Sequence, residues 1–305
     1  MSGKKPTHEP VWRETPFAIR NVTYTLKDSI TPLPFSVGGV TQHGPQHFRD
    51  NINNQDVMAI AIDDNFIAAV VCDGCTGSHP ELKREWSNNE TGAKLLARFA
   101  IEGIKSLIGL QKNISNDEFI ANLQCFVIDK LNAVANILSS NEEEKKYVVS
   151  DFFMTTILGF VVTEDDYIVF HSGDGYIAVN DLFSKIDDDG VYLSKLIMCP
   201  DESVNFIKIF GTGKTSELKN IVLASDGCRS LIENHKQTLI NYMNDVDKLL
   251  PGYDPTVLKQ FRSKVIWNDA IKNVASQDIF YDDDATIIVL RKLVNTENGC
   301  GYAEN

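Results

Sequence analysis

The sequence predicts an α+β protein, on three observations. Apolar, β-rich runs recur along it and end in Asp-Gly; two pairs of long helical patterns interrupt them; and the order is strands, a helix pair, strands, a second helix pair and a closing strand. Helices placed in pairs between runs of strands need sheet faces to cover, which fixes the class but not the architecture.

The elements follow in order. Through Phe35 the chain mixes polar residues with short β-like stretches such as Ala18 to Leu26, suited to an edge strand or an extension. Met58, Ile60 and Ile62 then alternate with alanines into Asp63-Asp64-Asn65, and the apolar run Asn65 to Cys72 follows, a hairpin signature. Two amphipathic helices are expected at Glu90 to Leu110 and Asp117 to Ser139. In the second, Phe119, Leu123, Phe126, Val127, Leu131, Val134 and Leu138 recur at helical spacing, so one face is buried. Strands resume at Thr155 to Thr163, Tyr167 to Ser172 and Tyr176 to Asn180, with Glu164-Asp165-Asp166 as a turn.

From Asp181 to Lys219 the pattern is less regular. Asp187-Asp188-Asp189-Gly190 lacks the alternating spacing of a calcium loop and is expected to be a solvated turn. Gly211-Thr212-Gly213-Lys214-Thr215 looks like the tail of a P-loop, but Lys208 stands where that pattern needs glycine, so an exposed turn is expected. After the apolar run in Asn220 to Gly227, helices are expected at Arg229 to Leu250 and at Pro255 to Val274, the latter with Pro near its first turn. A strand at Ala285 to Arg291 closes the pattern, followed by a loose Gly- and Asn-containing tail.

Composition narrows the function classes. With 43% apolar and 23% charged residues the chain is ordinary for a soluble protein, and no apolar segment approaches a membrane span. A formal charge of −13 argues against a nucleic-acid partner, whose phosphates would be repelled. The polar start MSGKKPTHEP lacks an apolar signal core, so a cytoplasmic protein is expected, with no membrane partner. The six cysteines fall mostly in apolar runs and read as reduced core residues. Cys72 and Cys75 form a C-x-x-C, but no second such pair or paired histidines complete a zinc site, and the pair sits at a strand end rather than opening a redox helix.

The chemistry centres on Asp73. Val70 to Gly77 runs an apolar strand into a carboxylate, and Gly74 lets the backbone turn just past it. Asp-Gly after a strand is a common turn. Here it recurs: Asn220 to Gly227 ends at Asp226, Tyr167 to Gly175 ends at Asp174, and Asp282-Asp283-Asp284 precedes the closing strand. Carboxylates gathered at the ends of buried strands repel one another unless a cation offsets them. Magnesium and manganese take such oxygen ligands, and two ions a few ångströms apart suit in-line displacement at phosphorus.

These motifs together resemble the metal-dependent type-2C (PPM) protein phosphatases: NQD at Asn54 to Asp56, VCDG at Val71 to Gly74, TTILG at Thr155 to Gly159, SGDG at Ser172 to Gly175, LASDG at Leu223 to Gly227 and DDAT at Asp283 to Thr286. The opening His47 to Asp56 is similar to the bacterial branch of the family, with Asp50 or Asn51 where glycine is usual. The resemblance implies an α-β-β-α four-layer sandwich of two stacked antiparallel sheets flanked by helices. It divides the chain into an N-terminal extension or edge strand over 1–35, a phosphatase domain over 36–293 and a tail over 294–305, with a variable flap within 181–219.

The resemblance also implies a site. Asp73 would bridge two Mn2+ or Mg2+ ions with the Gly74 carbonyl as a further ligand, Asp226 and Asp283 would bind the second ion, and Asp174 would help hold a weaker third. Gln55-Asp56 takes the family's Glu-Asp position, acting directly or through bound water. His47 and Arg49 lie where the family places a cationic phosphate contact. Some relatives carry a histidine after the Asp-Gly as a general acid; Cys75 stands there in this chain, and His79 and His171 are the available substitutes. The implied activity is hydrolysis of phosphoserine and phosphothreonine by a water bridging the ions, without a covalent intermediate. The substrate would be a phosphoprotein, with a cognate kinase, in signalling. A regulatory pseudophosphatase and a small-molecule phosphohydrolase are the alternatives; the intact aspartates argue against the former.

Overall fold

The computed structural model describes residues 11–14, 23–30, 33–44, 47, 52–75, 88–110, 114–187, 192–199, 205–244 and 283–293. Its strands are β1 (Val11–Glu14), β2 (Thr23–Ile30), β3 (Phe35–Gln42), β4 (Asp56–Ile62), β5 (Phe66–Asp73), β6 (Ile157–Thr163), β7 (Asp166–Ser172), β8 (Gly175–Val179), β9 (Leu182–Ile186), β10 (Lys208–Lys214), β11 (Asn220–Ala224) and β12 (Ala285–Lys292). The helices are α1 (Asn89–Leu110), α2 (Asp117–Leu138), α3 (Glu142–Phe152), α4 (Lys195–Met198) and α5 (Arg229–Asn244).

Two antiparallel sheets form, each of six strands, in the orders β1-β4-β5-β6-β7-β10 and β2-β3-β12-β11-β8-β9. Strand alternation sorts the side chains into layers. Along β5, Phe66, Ala68, Val70 and Cys72 join a core shared with Leu96, Ile101 and Ile104 of α1 and Phe119, Leu123 and Val127 of α2. The intervening Ile67, Ala69 and Val71 join a second core with Met58 and Ile60 of β4 and with Val37, Ile221, Leu223, Ile288 and Leu290 of the other sheet. On that sheet's far face, Val222, Ala224, Ile287 and Val289 pack with Leu231, Ile232 and Leu239 of α5. Helices, sheet, sheet and helix make the four-layer α-β-β-α sandwich.

Most predicted elements lie where the apolar periodicity places them. The α2 amide of Phe119 is capped by the Asn116 side chain at 2.8 Å, which explains the sharp start at Asp117. The β8–β9 hairpin turns on Asn180 and Asp181, both at positive φ (52° and 68°), the signature of a type I′ turn.

Three expectations need correction. The 211–215 segment is not an exposed turn: through Lys214 it belongs to β10, paired antiparallel with β7 across a bulge between Ile209 and Gly211. Its glycines reflect an edge strand, where side-chain packing is sparse. The irregular 181–219 stretch holds β9 and α4 as well as β10. Finally, α3 was not expected, because EEEKKYVVSDF is short and mostly polar; it is started by Asn141, whose side chain accepts from the Glu144 amide at 2.9 Å. Residues 188–190 of the aspartate turn, the end of the helix expected to Leu250, the helix expected at Pro255 to Val274 and the tail lie outside the described residues.

Candidate metal centre

The alternation that separates the two cores also decides which polar residues meet. Carried to the end of β5, it places Asp73 on the face of Ile67, Ala69 and Val71, between the sheets; carried back along β4, it places Asp56 with Met58 and Ile60 on that same face. The two aspartates are direct register partners. From the opposing sheet, Ser225 continues the parity of Ile221 and Leu223, and Thr286 that of Ile288 and Leu290. The site therefore opens at one end of the seam between the sheets, with Asp73 at the end of an interior strand rather than at a lateral edge.

Several contacts hold the turn after Asp73. Its carbonyl accepts from Thr155 Oγ1 at 2.7 Å and from the Thr156 amide at 2.8 Å. The Gly74 amide donates to the Gln55 carbonyl at 3.2 Å, and the first residue of α1, Asn89, donates to the Cys75 carbonyl at 2.6 Å while accepting from the Met154 amide at 3.0 Å. A Cβ at position 74 would fall 2.6 Å from the Asn89 carbonyl carbon, so glycine is required by this close approach.

Of the adjacent aspartates 283 and 284, it is Asp284 that is buried and saturated. Its Oδ1 accepts from the Gly44 amide at 2.6 Å, and its Oδ2 accepts from the Gln55 amide at 2.6 Å and from His47 Nδ1 at 2.8 Å. This carboxylate ties the segment leading into β4 to the start of β12. Asp283 is half exposed, 3.5 Å from His47 Nδ1 through Oδ1, which also accepts from the Asp284 amide. His47, Asp283 and Asp284 bring one ligand atom each to within 4.8 Å of one another, yet the three donors on Asp284 give it an anchoring role.

Electrostatics link the remaining carboxylates. Burial first, then the charges of Asp56, Asp226, Asp283 and the Cys75 thiol, push the Asp73 carboxyl well above its ordinary range. Burial, then Asp284, raises Asp56 to about 8, against the opposing hydrogen bond from Ser225. Asp226 stands at the solvent-exposed mouth, but the protein around it, then Asp283 and Asp174, raise it to about 6 against a hydrogen bond with Asp73. Burial opposes the His47 imidazolium, but the hydrogen bond and charge of Asp284, with Asp283 and Asp56 beyond, outweigh it and raise the pKa. Asp174 is lodged between Gly173 and Gly175 at φ +87° and +129°, a sharp turn closed to most side chains.

This arrangement sets a pH dependence. An acid whose folded pKa lies above its unfolded value keeps its proton in the folded state across the interval between them, so stability is greatest below that interval and falls as pH rises through it. For Asp56 the interval runs from 3.8 to about 8. His47 acts in the same direction above its ordinary 6.5, since its folded pKa is also raised. In chelator, the melting temperature is expected to fall between pH 5 and 8, and saturating Mg2+ or Mn2+ to remove most of that slope. A melting temperature that rises with pH in chelator would contradict the charge assignment.

The donors fit a hard divalent cation. They are oxygens, and Asp56 Oδ1 is buried without a hydrogen-bond partner. Asp56, Asp73, Asp174, Asp226 and Asp283 are thus coupled in one cluster with the Gly74 backbone beside it, and His47 at its rim. Arg49 and His79 lie outside the described residues, and His171 is half-buried near the end of β7. Cys72 and Cys75 are free thiols; Cys72 faces the helices, and burial, then Asp73 and Asp56, hold it well above its ordinary pKa, opposite to a reactive thiolate. Sequence reasoning did not single out Asp284, Ser225, Thr286 and Asn89. The first three stand inside the quoted motifs DDAT and LASDG, which was the available signal.

The family profile described as Protein phosphatase 2C matches residues 43–261. No curated protein matches the sequence. Among solved structures the chain is similar to a serine-threonine phosphatase 2C from Toxoplasma gondii, with TM-score 0.49 and 13% identity over 89% of this chain and 98% of that one. It is also similar to a bacterial serine phosphatase, with TM-score 0.46 and 15% identity over 85% and 97%, and to the serine/threonine phosphatase Stp1 from Staphylococcus aureus, with TM-score 0.44 and 14% identity over 84% and 94%. Among the described residues no helix is long and apolar enough to cross a membrane.

Proposed function

The chain belongs to the protein phosphatase 2C family and is, as a member of it, a protein-serine/threonine phosphatase; from that premise we propose that it hydrolyses phosphoserine and phosphothreonine in proteins with two Mg2+ or Mn2+ ions. The observation that carries the metal reading is the inter-sheet cluster itself, in which Asp56 Oδ1 is buried and unpartnered beside carboxyls whose ionisation is suppressed by their neighbours.

In this reading Asp73, the Gly74 carbonyl, Asp226 and Asp283 would hold the two ions, Asp174 would help hold a third, and Asp56 would act directly or through a water. Bound there, the ions would supply a water acidified toward neutral pH and offset charge on the phosphoryl oxygens. The chain's own residues do the rest. His47, with Nδ1 engaged by Asp284, has Nε2 left to donate to a phosphoryl oxygen, and its raised pKa favours the form able to do so. Arg49, outside the described residues, is assigned to the same cationic contact on the family resemblance alone, a role its planar fork would suit.

A phosphothreonine peptide tests this, assayed beside a nucleotide and a sugar phosphate. Turnover of the peptide that needs added Mg2+ or Mn2+ and stops in chelator is expected, with the small phosphates slower. Preference for the small phosphates would move the substrate class, and no metal-dependent turnover of any of them would defeat the reading. A serine/threonine kinase that makes the phosphoprotein is the implied partner.

A further inference from the structure

The orientation of Asp56 is set by residues that the proposed chemistry does not use. Five side chains from both sheets close a hydrogen-bonded ring beneath the cluster. Ser225 Oγ donates to Asp56 Oδ2 at 2.6 Å and accepts from the Thr286 amide at 2.9 Å. Thr286 Oγ1 donates to Thr41 Oγ1 at 2.6 Å, Asn54 Nδ2 donates to the same Thr41 oxygen at 3.1 Å, and Asn54 Oδ1 accepts from the Asp56 amide at 2.9 Å. All five residues are buried, Asp56 at 1% and Ser225 at 2% exposure.

The direction of one proton decides what this ring does. A serine hydroxyl has a single hydrogen. Ser225 Oγ accepts from the Thr286 backbone amide, and with Asp56 ionised, as a bound cation would keep it, the serine hydrogen is directed at Asp56 Oδ2. The ring also holds the Asp56 amide, so the carboxyl is fixed at both its backbone and one oxygen. The other oxygen, Oδ1, is left buried without a partner. An unpaired buried carboxylate oxygen is expensive unless something outside the hydrogen-bond network meets it.

We propose that Ser225 is the positioning residue for Asp56, occupying Oδ2 so that Oδ1 is the oxygen offered to the divalent cation or to its bound water. The inference rests on the reading of Asp56 as part of the cation site. It also gives the ring a second consequence: Asp56 belongs to one sheet and Ser225 to the other, so Asp56 keeps its aim only while the two sheets keep their register.

Calorimetric titration of the folded, chelator-stripped protein with Mn2+ tests this without reference to turnover. Ser225→Ala is expected to weaken Mn2+ binding by about 10- to 100-fold, as loss of a partner that orients a ligand usually does, and Ser225→Thr, which keeps the hydroxyl, to recover most of it. Should the alanine variant fail to fold, the isosteric pair Ser225→Thr and Ser225→Val makes the same comparison, since they differ only by hydroxyl against methyl. An affinity unchanged by loss of the hydroxyl, with only the metal-free melting temperature lowered, would show a purely structural serine and overturn the proposal. If the wild-type protein takes up no Mn2+, the metal reading itself fails and the proposal with it.

Discussion

Asp73→Asn is expected to remove metal-dependent phosphopeptide hydrolysis, by at least the hundredfold to thousandfold typical of losing one preorganised electrostatic group, without unfolding the chain. The reason lies in the environment of this carboxyl. Burial and the charges of Asp56, Asp226 and Asp283 already oppose its ionisation, so in chelator an isosteric amide relieves repulsion and removes nothing the folded state depends on. The melting temperature in chelator should be equal to or above that of the wild type at pH 8, and its increase on adding Mn2+ should shrink. Turnover close to wild type in a folded Asn variant would reduce Asp73 to a turn residue.

Asp284→Ala should behave in the opposite way. Three donors converge on this buried carboxylate, two of them backbone amides and one an imidazole favoured in its charged form. Removing their shared acceptor is expected to cost about 3 kcal/mol or more. For a domain of this size that corresponds to roughly 6–12 °C in melting temperature. The loss should appear in chelator and in saturating metal alike, because the contacts it removes belong to the fold. A variant whose instability vanished on adding Mn2+ would instead mark Asp284 as a cation ligand. The adjacent Asp283 gives the contrast: Asp283→Asn should leave metal-free stability nearly unchanged and weaken metal binding.

That two neighbouring aspartates divide these roles illustrates what the sequence could and could not reveal. Apolar strands such as β4, alternating with alanine, and β5 and β11, as unbroken runs, were legible, and with them the ends at which Asp56, Asp73 and Asp226 stand. Alternation fades before the first residue of β12, so the resemblance picked out Asp283 but no pattern marked Asp284 as an anchor; the backbone of Gly44 and Gln55, more than two hundred residues upstream in sequence, gives it that role. The ring through Thr41, Asn54, Ser225 and Thr286 was hidden for the same reason, since each bond depends on strand register between distant segments. Elements with weak apolar patterns were missed outright: β10 carries glycines and lysines at an edge, and α3 has only Val148 and Val149 as its buried apolar residues.

The strand order has a consequence for how the protein is made. β12 lies between β3 and β11, pairing Ile287 with both Val40 and Ala224. Closing such distant pairings carries a loop entropy that local hairpins avoid, and it slows folding. On the ribosome, β4 to β7 can pair as each emerges, whereas the second sheet keeps a gap at its centre until residues 285 to 292 are synthesised. Until then β3 and β11 each present an unpaired strand edge, and Ser225, the partner of Asp56 Oδ2, lacks the Thr286 amide that donates to its Oγ. A nascent chain halted before that point should therefore bind Mn2+ poorly and lean on chaperones to shield those edges, and cation affinity should appear abruptly once the strand inserts.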